Sequence, residues 1–180
     1  LGTNLTAVGY TTSGLVNSET IGSVTLTSAG SSATANAGGY NITASGAANG
    51  TFTASNYNIS YANGTLTVTK ADITVIANDQ SRTYGAANPT SGNTTVTAGQ
   101  LYNGDTLSTA SVASTANATT NVGNYTLTAS NQSLVQGAGV GDINNYNVSY
   151  LAGNLSVTPA NLTITANSTS TQYGLGTNLT

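Results

Sequence analysis

The sequence predicts an all-β fold, built as small β-sandwich (Ig-like) domains repeated in tandem along an elongated array. Three observations carry this. Short runs alternate apolar and polar residues with period two. No window of a dozen residues places apolar side chains at helical spacing, and the density of Gly, Asn and Thr is hostile to helix. Finally, the chain repeats itself: Tyr57–Thr69 reads YNISYANGTLTVT, and Tyr146–Thr158 reads YNVSYLAGNLSVT 89 positions later. A parallel β-solenoid is the alternative architecture, but coils of that kind repeat about every 20 residues, far less than the spacing seen here.

Taken in order, the chain opens with LGTNLT at 1–6, and the same six residues return at 175–180, so two related units share one 174-residue period. Leu15, Asn17, Glu19, Thr20 and Ile21 answer to Leu101, Asn103, Asp105, Thr106 and Leu107. A helical turn is the most that Leu15–Thr20 or Leu101–Thr106 supports. Strands are predicted over Ser23–Thr27, Tyr40–Ala44, Thr51–Thr53, Asn58–Tyr61, Thr65–Thr69 and Ile73–Ala77, and over their later counterparts. Asn63-Gly64 favours the positive φ values of a tight primed turn, which makes Tyr57–Thr69 a β-hairpin. Insertions between the units belong in loops. The glycine-rich Gly137–Asp142 is read as such a loop, because it precedes a strand rather than a helix and lacks the lysine of a phosphate loop.

If each domain begins with the strand after the hairpin, residues 1–69 form a repeat domain lacking its first strand. Residues 71–158 then form a complete domain, and residues 160–180 supply the first strand of the next. Residues 1–69 need a strand like Asn161–Ala166 from a preceding copy, by chain continuity or by β-strand addition between subunits. The linkers Lys70-Ala71 and Pro159-Ala160 are short enough to make the array stiff. The expected partners are therefore copies of the chain head-to-tail, or neighbouring repeats of one longer chain.

Composition narrows the function further. Lys70 and Arg82 are the only basic residues and Glu19, Asp72, Asp79, Asp105 and Asp142 the only acidic ones, for a net charge of −3. Two cations cannot neutralise a row of phosphates or hold an anionic lipid surface, so nucleic acid and membrane partners are not expected. No run of about eighteen apolar residues is present to insert into a bilayer. The chain has no His and no Cys, which removes the common catalytic bases, nucleophile pairs and soft metal ligands. Neither catalysis nor a bound cofactor is expected. Such a charge-poor, cysteine-free β chain suits an extracellular position on a bacterial surface.

The remaining polar chemistry is limited. Glu19 and Asp105 occupy equivalent positions, one per unit, and are read as turn-capping carboxylates. Asp72 and Asp79 are hard oxygen ligands of the kind a calcium ion between units would take, though no fixed loop pattern accompanies them. Tyr40/Tyr125, Tyr57/Tyr146, Tyr61/Tyr150 and Tyr84/Tyr173 pair between units, which assigns them to the repeating core or joint. Tyr10 and Tyr102 have no such counterpart, making them the candidate platforms for a polysaccharide. Asn-x-Ser/Thr recurs along the chain, and Asn41, Asn58, Asn63, Asn124, Asn147 and Asn154 are candidate glycosylation positions.

Four anchors recur in a fixed order. They are Ile73…Ala77-Asn78-Asp79-Gln80-Ser81-Arg82-Thr83-Tyr84-Gly85-Ala86-Ala87-Asn88-Pro89, then Leu101-Tyr102-Asn103-Gly104-Asp105-Thr106, then Asn121-Val122-Gly123-Asn124-Tyr125, then the Tyr146 segment. This order resembles MBG/YDG-type repeat domains, found in tandem in very large bacterial surface and secreted adhesins, including filamentous-haemagglutinin-like proteins of two-partner secretion. The first unit departs from that pattern with Leu1-Gly2-Thr3-Asn4 and Ser18-Glu19. The resemblance implies a stalk or fibre role, within a biofilm matrix or at the cell surface, and no catalytic motif.

Overall fold

A computed structural model describes residue 5, residues 8–137 and residues 142–178. Among these the chain is all-β and sandwich-like, with single turns of 3-10 helix at Ala29–Ser31, Ala54–Asn56 and Ile143–Asn145 and no α-helix. The first copy of LGTNLT falls largely outside the described residues, as do 179–180 of the second copy and 138–141 of the glycine-rich loop.

Three antiparallel strands form one sheet in the order β1 (Ile21–Thr27), β2 (Gly38–Gly50), β3 (Gly64–Val68). Residues 71–158 hold the other ten: β4 (Ala71–Ala77), β5 (Gln80–Thr83), β6 (Ser91–Gly92), β7 (Thr94–Ala98), β8 (Thr106–Leu107), β9 (Ala110–Ala113), β10 (Gly123–Ser130), β11 (Leu134–Val135), β12 (Tyr146–Leu151) and β13 (Gly153–Thr158). They make a sheet β12-β4-β7, a sheet β5-β13-β10-β9-β6, and a small pair β11-β8. Period-two alternation sets the faces. Ile73 and Val75 on β4 pack with Tyr146, while Ala77 at the end of β4 joins Val112, Leu127 and Leu155 on the five-stranded sheet. One strand thus ties two apolar clusters together.

Two pairings are parallel, β12 with β4 and β13 with β5, and the rest are antiparallel. This does not fit a parallel solenoid. Nor is the Tyr146 segment a hairpin. β12 runs beside β4 in one sheet and β13 beside β10 and β5 in another, so the chain crosses between layers at Ala152. Gly153 serves that crossing by its lack of a side chain, since a Cβ there would lie 2.0 Å from the Ala77 carbonyl oxygen. In the first copy Gly64–Val68 is a strand but Asn58–Tyr61 is not, and neither Asn63 nor Gly64 has positive φ.

Other expectations also change. The stretches expected to hold a helical turn hold primed β-turns: Asn17 and Ser18 (φ 55° and 56°), and Asn103 and Gly104 (φ 54° and 79°), lie in the left-handed region. Glu19 N donates to Val16 O at 3.0 Å, and Asp105 N to Tyr102 O at 2.9 Å. Thr51–Thr53 is a bend, where the Thr51 and Phe52 amides both donate to Thr20 O instead of to a neighbouring strand. Residues 160–170 carry strand-like alternation yet form no strand, and among the described residues no strand lies beside them to pair with.

Candidate functional site

Each unit builds the same phenol and carboxylate pair. The Tyr146 hydroxyl donates to Asp105 Oδ2 (2.9 Å) and accepts from the Tyr102 amide (2.9 Å), while the Gly137 amide donates to Asp105 Oδ1 (3.1 Å). In the first unit the Tyr57 hydroxyl donates to Glu19 and accepts from the Val16 amide (3.3 Å). The turn carboxylates therefore bind the tyrosine that opens the later strand, an arrangement that spacing alone did not reveal. Its available signal was the recurrence of both residue types in both copies.

Burial, opposed by the Tyr102 amide and aided by Asp105, pushes the Tyr146 phenol above its ordinary value. The hydrogen bond to Glu19 raises that of Tyr57, against the Val16 amide. A raised folded-state value means that the folded chain holds this proton more tightly than the unfolded chain. The stabilisation is complete below pH about 10 and is lost as the pH rises further, through the higher folded-state value. Tyr146→Phe is expected to lower the stability of residues 71–158 by about 1–3 kcal/mol, because Asp105 is buried. Urea unfolding at pH 7 and pH 11 checks both points, the variant showing the weaker loss at alkaline pH.

Tyr40/Tyr125 and Tyr61/Tyr150 are also satisfied within their own units, whereas Tyr84 and Tyr173, assigned to the core or joint from their recurrence, are exposed and belong to neither apolar cluster. Tyr40 and Tyr125 each donate to the carbonyl four residues earlier, at 2.8 Å, and the hydroxyls of Tyr61 and Tyr150 accept the Ala47 and Gln132 amides at 2.9 Å. Of the six candidate glycosylation positions, Asn41, Asn58, Asn63, Asn124 and Asn147 are exposed and Asn154 half-buried. Asp72 accepts from the Asn147 amide at 2.8 Å and Asp79 from the Asn154 backbone at 2.8 Å. No group of three potential metal-ligating side chains occurs among the described residues.

Two concave surfaces hold the unpaired tyrosines. Tyr102 lies in a cleft of about 350 Å³ where residues 33–34 meet Lys70, Asn103 and Asn145. Around it Asn145 accepts from the Ala37 amide (2.8 Å) and donates to Asn36 (2.9 Å), and Asn103 donates to Ala33 O (3.2 Å). These bonds join the two units. Tyr10 lies in a larger groove, about 670 Å³, between 8–15 and 57–64 and floored by Val24, Leu26 and Ile42. Its hydroxyl donates to Ile21 O at 2.9 Å.

No helix among the described residues is long and apolar enough to cross a membrane. No curated protein and no solved structure shows a significant match to the chain. A family model does match, that of the MBG domain (YGX type), over residues 1–67 and again over 73–156. The two matches fall on the two copies of the phenol and carboxylate pair, and the chain belongs to the YGX-type MBG domain family.

Proposed function

We propose that this chain is part of the shaft of an extracellular bacterial fibre or giant adhesin, in which the units 1–69 and 71–158 act as a rigid spacer and perform no catalysis. Family membership suggests a repeat domain of a surface protein. The observation that supports the spacer role is the joint. Only Thr69 and Lys70 separate β3 from β4, and Asn36, Asn103 and Asn145 bridge the units on the side facing the cleft. A short connection with a hydrogen-bonded side strut resists bending in a way that a flexible linker does not.

Residual dipolar couplings measured on both units of the 180-residue chain are expected to fit a single alignment tensor. Asn145→Ala removes two bonds of the strut, each worth about 1 kcal/mol, and is expected to split the data into two tensors. Two tensors in the unaltered chain would refute the rigid spacer.

A further inference from the structure

We propose that the groove of the first unit is a strand-binding site whose occupant is the 160–174 segment of a second copy of this chain. That segment would enter as the middle strand of a three-stranded sheet. The surface is independent of the joint between the units.

The second unit shows the site filled. There β4 lies between β12 and β7, in parallel register with β12 (Ile73 opposite Val148, Val75 opposite Tyr150) and antiparallel to β7 (Val75 opposite Val96). β5 continues the same entry alongside β13. Ile73 and Val75 are 2% and 0% exposed in that position. In the first unit both flanks are present, and among the described residues no strand lies between them. Residues 57–61 correspond to β12 and residues 8–12 to β7, yet neither belongs to a sheet, and Ile59, Tyr61, Val8 and Tyr10 are exposed. Unpaired backbone on facing strand edges is a template for an added strand.

The sequence of the occupant is on the same chain. By the 89-residue offset, Leu162, Ile164 and Ala166 correspond to Ile73, Val75 and Ala77. Leu162 and Ile164 are 83% and 87% exposed, among the largest exposures of any apolar side chains in the molecule. A buried pair in one unit is thus a solvent-exposed pair in the next. The predicted register sets Ile59 opposite Leu162 and Tyr61 opposite Ile164, with Tyr10 across from Ile164 on the other flank. Gly64 marks where the entering backbone passes. Its counterpart Gly153 is held against the Ala77 carbonyl, whereas a Cβ on Gly64 would meet only Ile42, at 3.7 Å. The space is the one that the Ala166 carbonyl would fill. Because the incoming strand would bury what β4 and β5 bury in the second unit, the contact is continuous with an interface that the fold already uses. Residues 160–174 carry no charge, so the association is expected to be insensitive to salt.

The absence of native cysteine makes the test direct. In the full chain, Ser60→Cys with Thr163→Cys places two thiols at the predicted opposing position, and Ser60→Cys with Thr165→Cys is the out-of-register control. The expected result is a concentration-dependent series of oligomers by sedimentation, and a disulfide ladder in the first variant that is at least about tenfold stronger than in the control. Leu162→Asp with Ile164→Asp lies in a segment that packs on nothing, and should weaken assembly at least about 100-fold while leaving the circular dichroism unchanged. A chain that stays monomeric, or cross-links without regard to register, would overturn the proposal. So would a matched disulfide confined to monomers, which would assign the groove to the chain's own tail.

Discussion

Gly153→Ala is expected to cost residues 71–158 about 1–3 kcal/mol, while Gly64→Ala, the same substitution at the equivalent position, should change the isolated chain by no more than about 0.5 kcal/mol. The added methyl at 153 would sit 2.0 Å from the Ala77 carbonyl oxygen and 2.9 Å from its carbon. Both are backbone atoms at the end of β4, and Ala77 belongs to the cluster that joins the two larger sheets, so they cannot yield without moving that cluster. At position 64 the nearest atoms are an ordinary van der Waals distance away. Hydrogen exchange of the β4 and β10 amides under native conditions measures the first loss, and that of β2 and β3 the second. Equal costs at the two glycines would show that the crossing in the second unit is less tightly closed than its geometry implies.

That pair of glycines also shows what could be read from the chain and what could not. Alternation identified β1 to β4, β9, β10, β12 and β13, because side-chain period is a local property, and it missed β5, β7 and the two-residue strands, whose short runs carry too few alternating apolar residues. The repeat was legible because Tyr57–Thr69 and Tyr146–Thr158 keep the same residue types in the same order. The hairpin was misread because Asn63-Gly64 invites a local explanation, whereas the partners of the second copy, β4 and β5, lie 75 residues earlier in parallel register. No local rule reports a contact of that range. The primed turn that asparagine and glycine do signal occurs at Asn103-Gly104, where both residues have positive φ. As for the site, the sequence marked Tyr10 and Tyr102 as unusual, and each lines a concave surface, but the pairing of Tyr146 with Asp105 needed the fold to bring a turn and a strand together across 41 positions. That residues 1–69 would take an added strand was an expectation from the repeat boundaries. The flanks, register and glycine position proposed for that strand needed the fold.

Leu155→Ala should then destabilise its unit by about 2–5 kcal/mol and Leu66→Ala, at the equivalent position, by about 1 kcal/mol or less. Leu155 is fully enclosed beside Leu127 and Ala77, so its truncation leaves a cavity walled by three strands that cannot collapse. Leu66 is only half-buried, facing a sheet where Ile42 is the one buried apolar residue between positions 8 and 69. Truncation there removes contact without enclosing a void, and water already reaches the surface. Each variant is read by urea unfolding, following exchange of the amides in its own unit, because a chain of two units need not unfold in one step. The difference has a direct link to strand entry. Filling the groove with a peptide of residues 160–174 would enclose Leu66 as β4 helps to enclose Leu155, and the cost of Leu66→Ala should rise toward the larger value. If it stays small at saturating peptide, the first unit is not an unfilled copy of the second, and its half-buried core is the finished one.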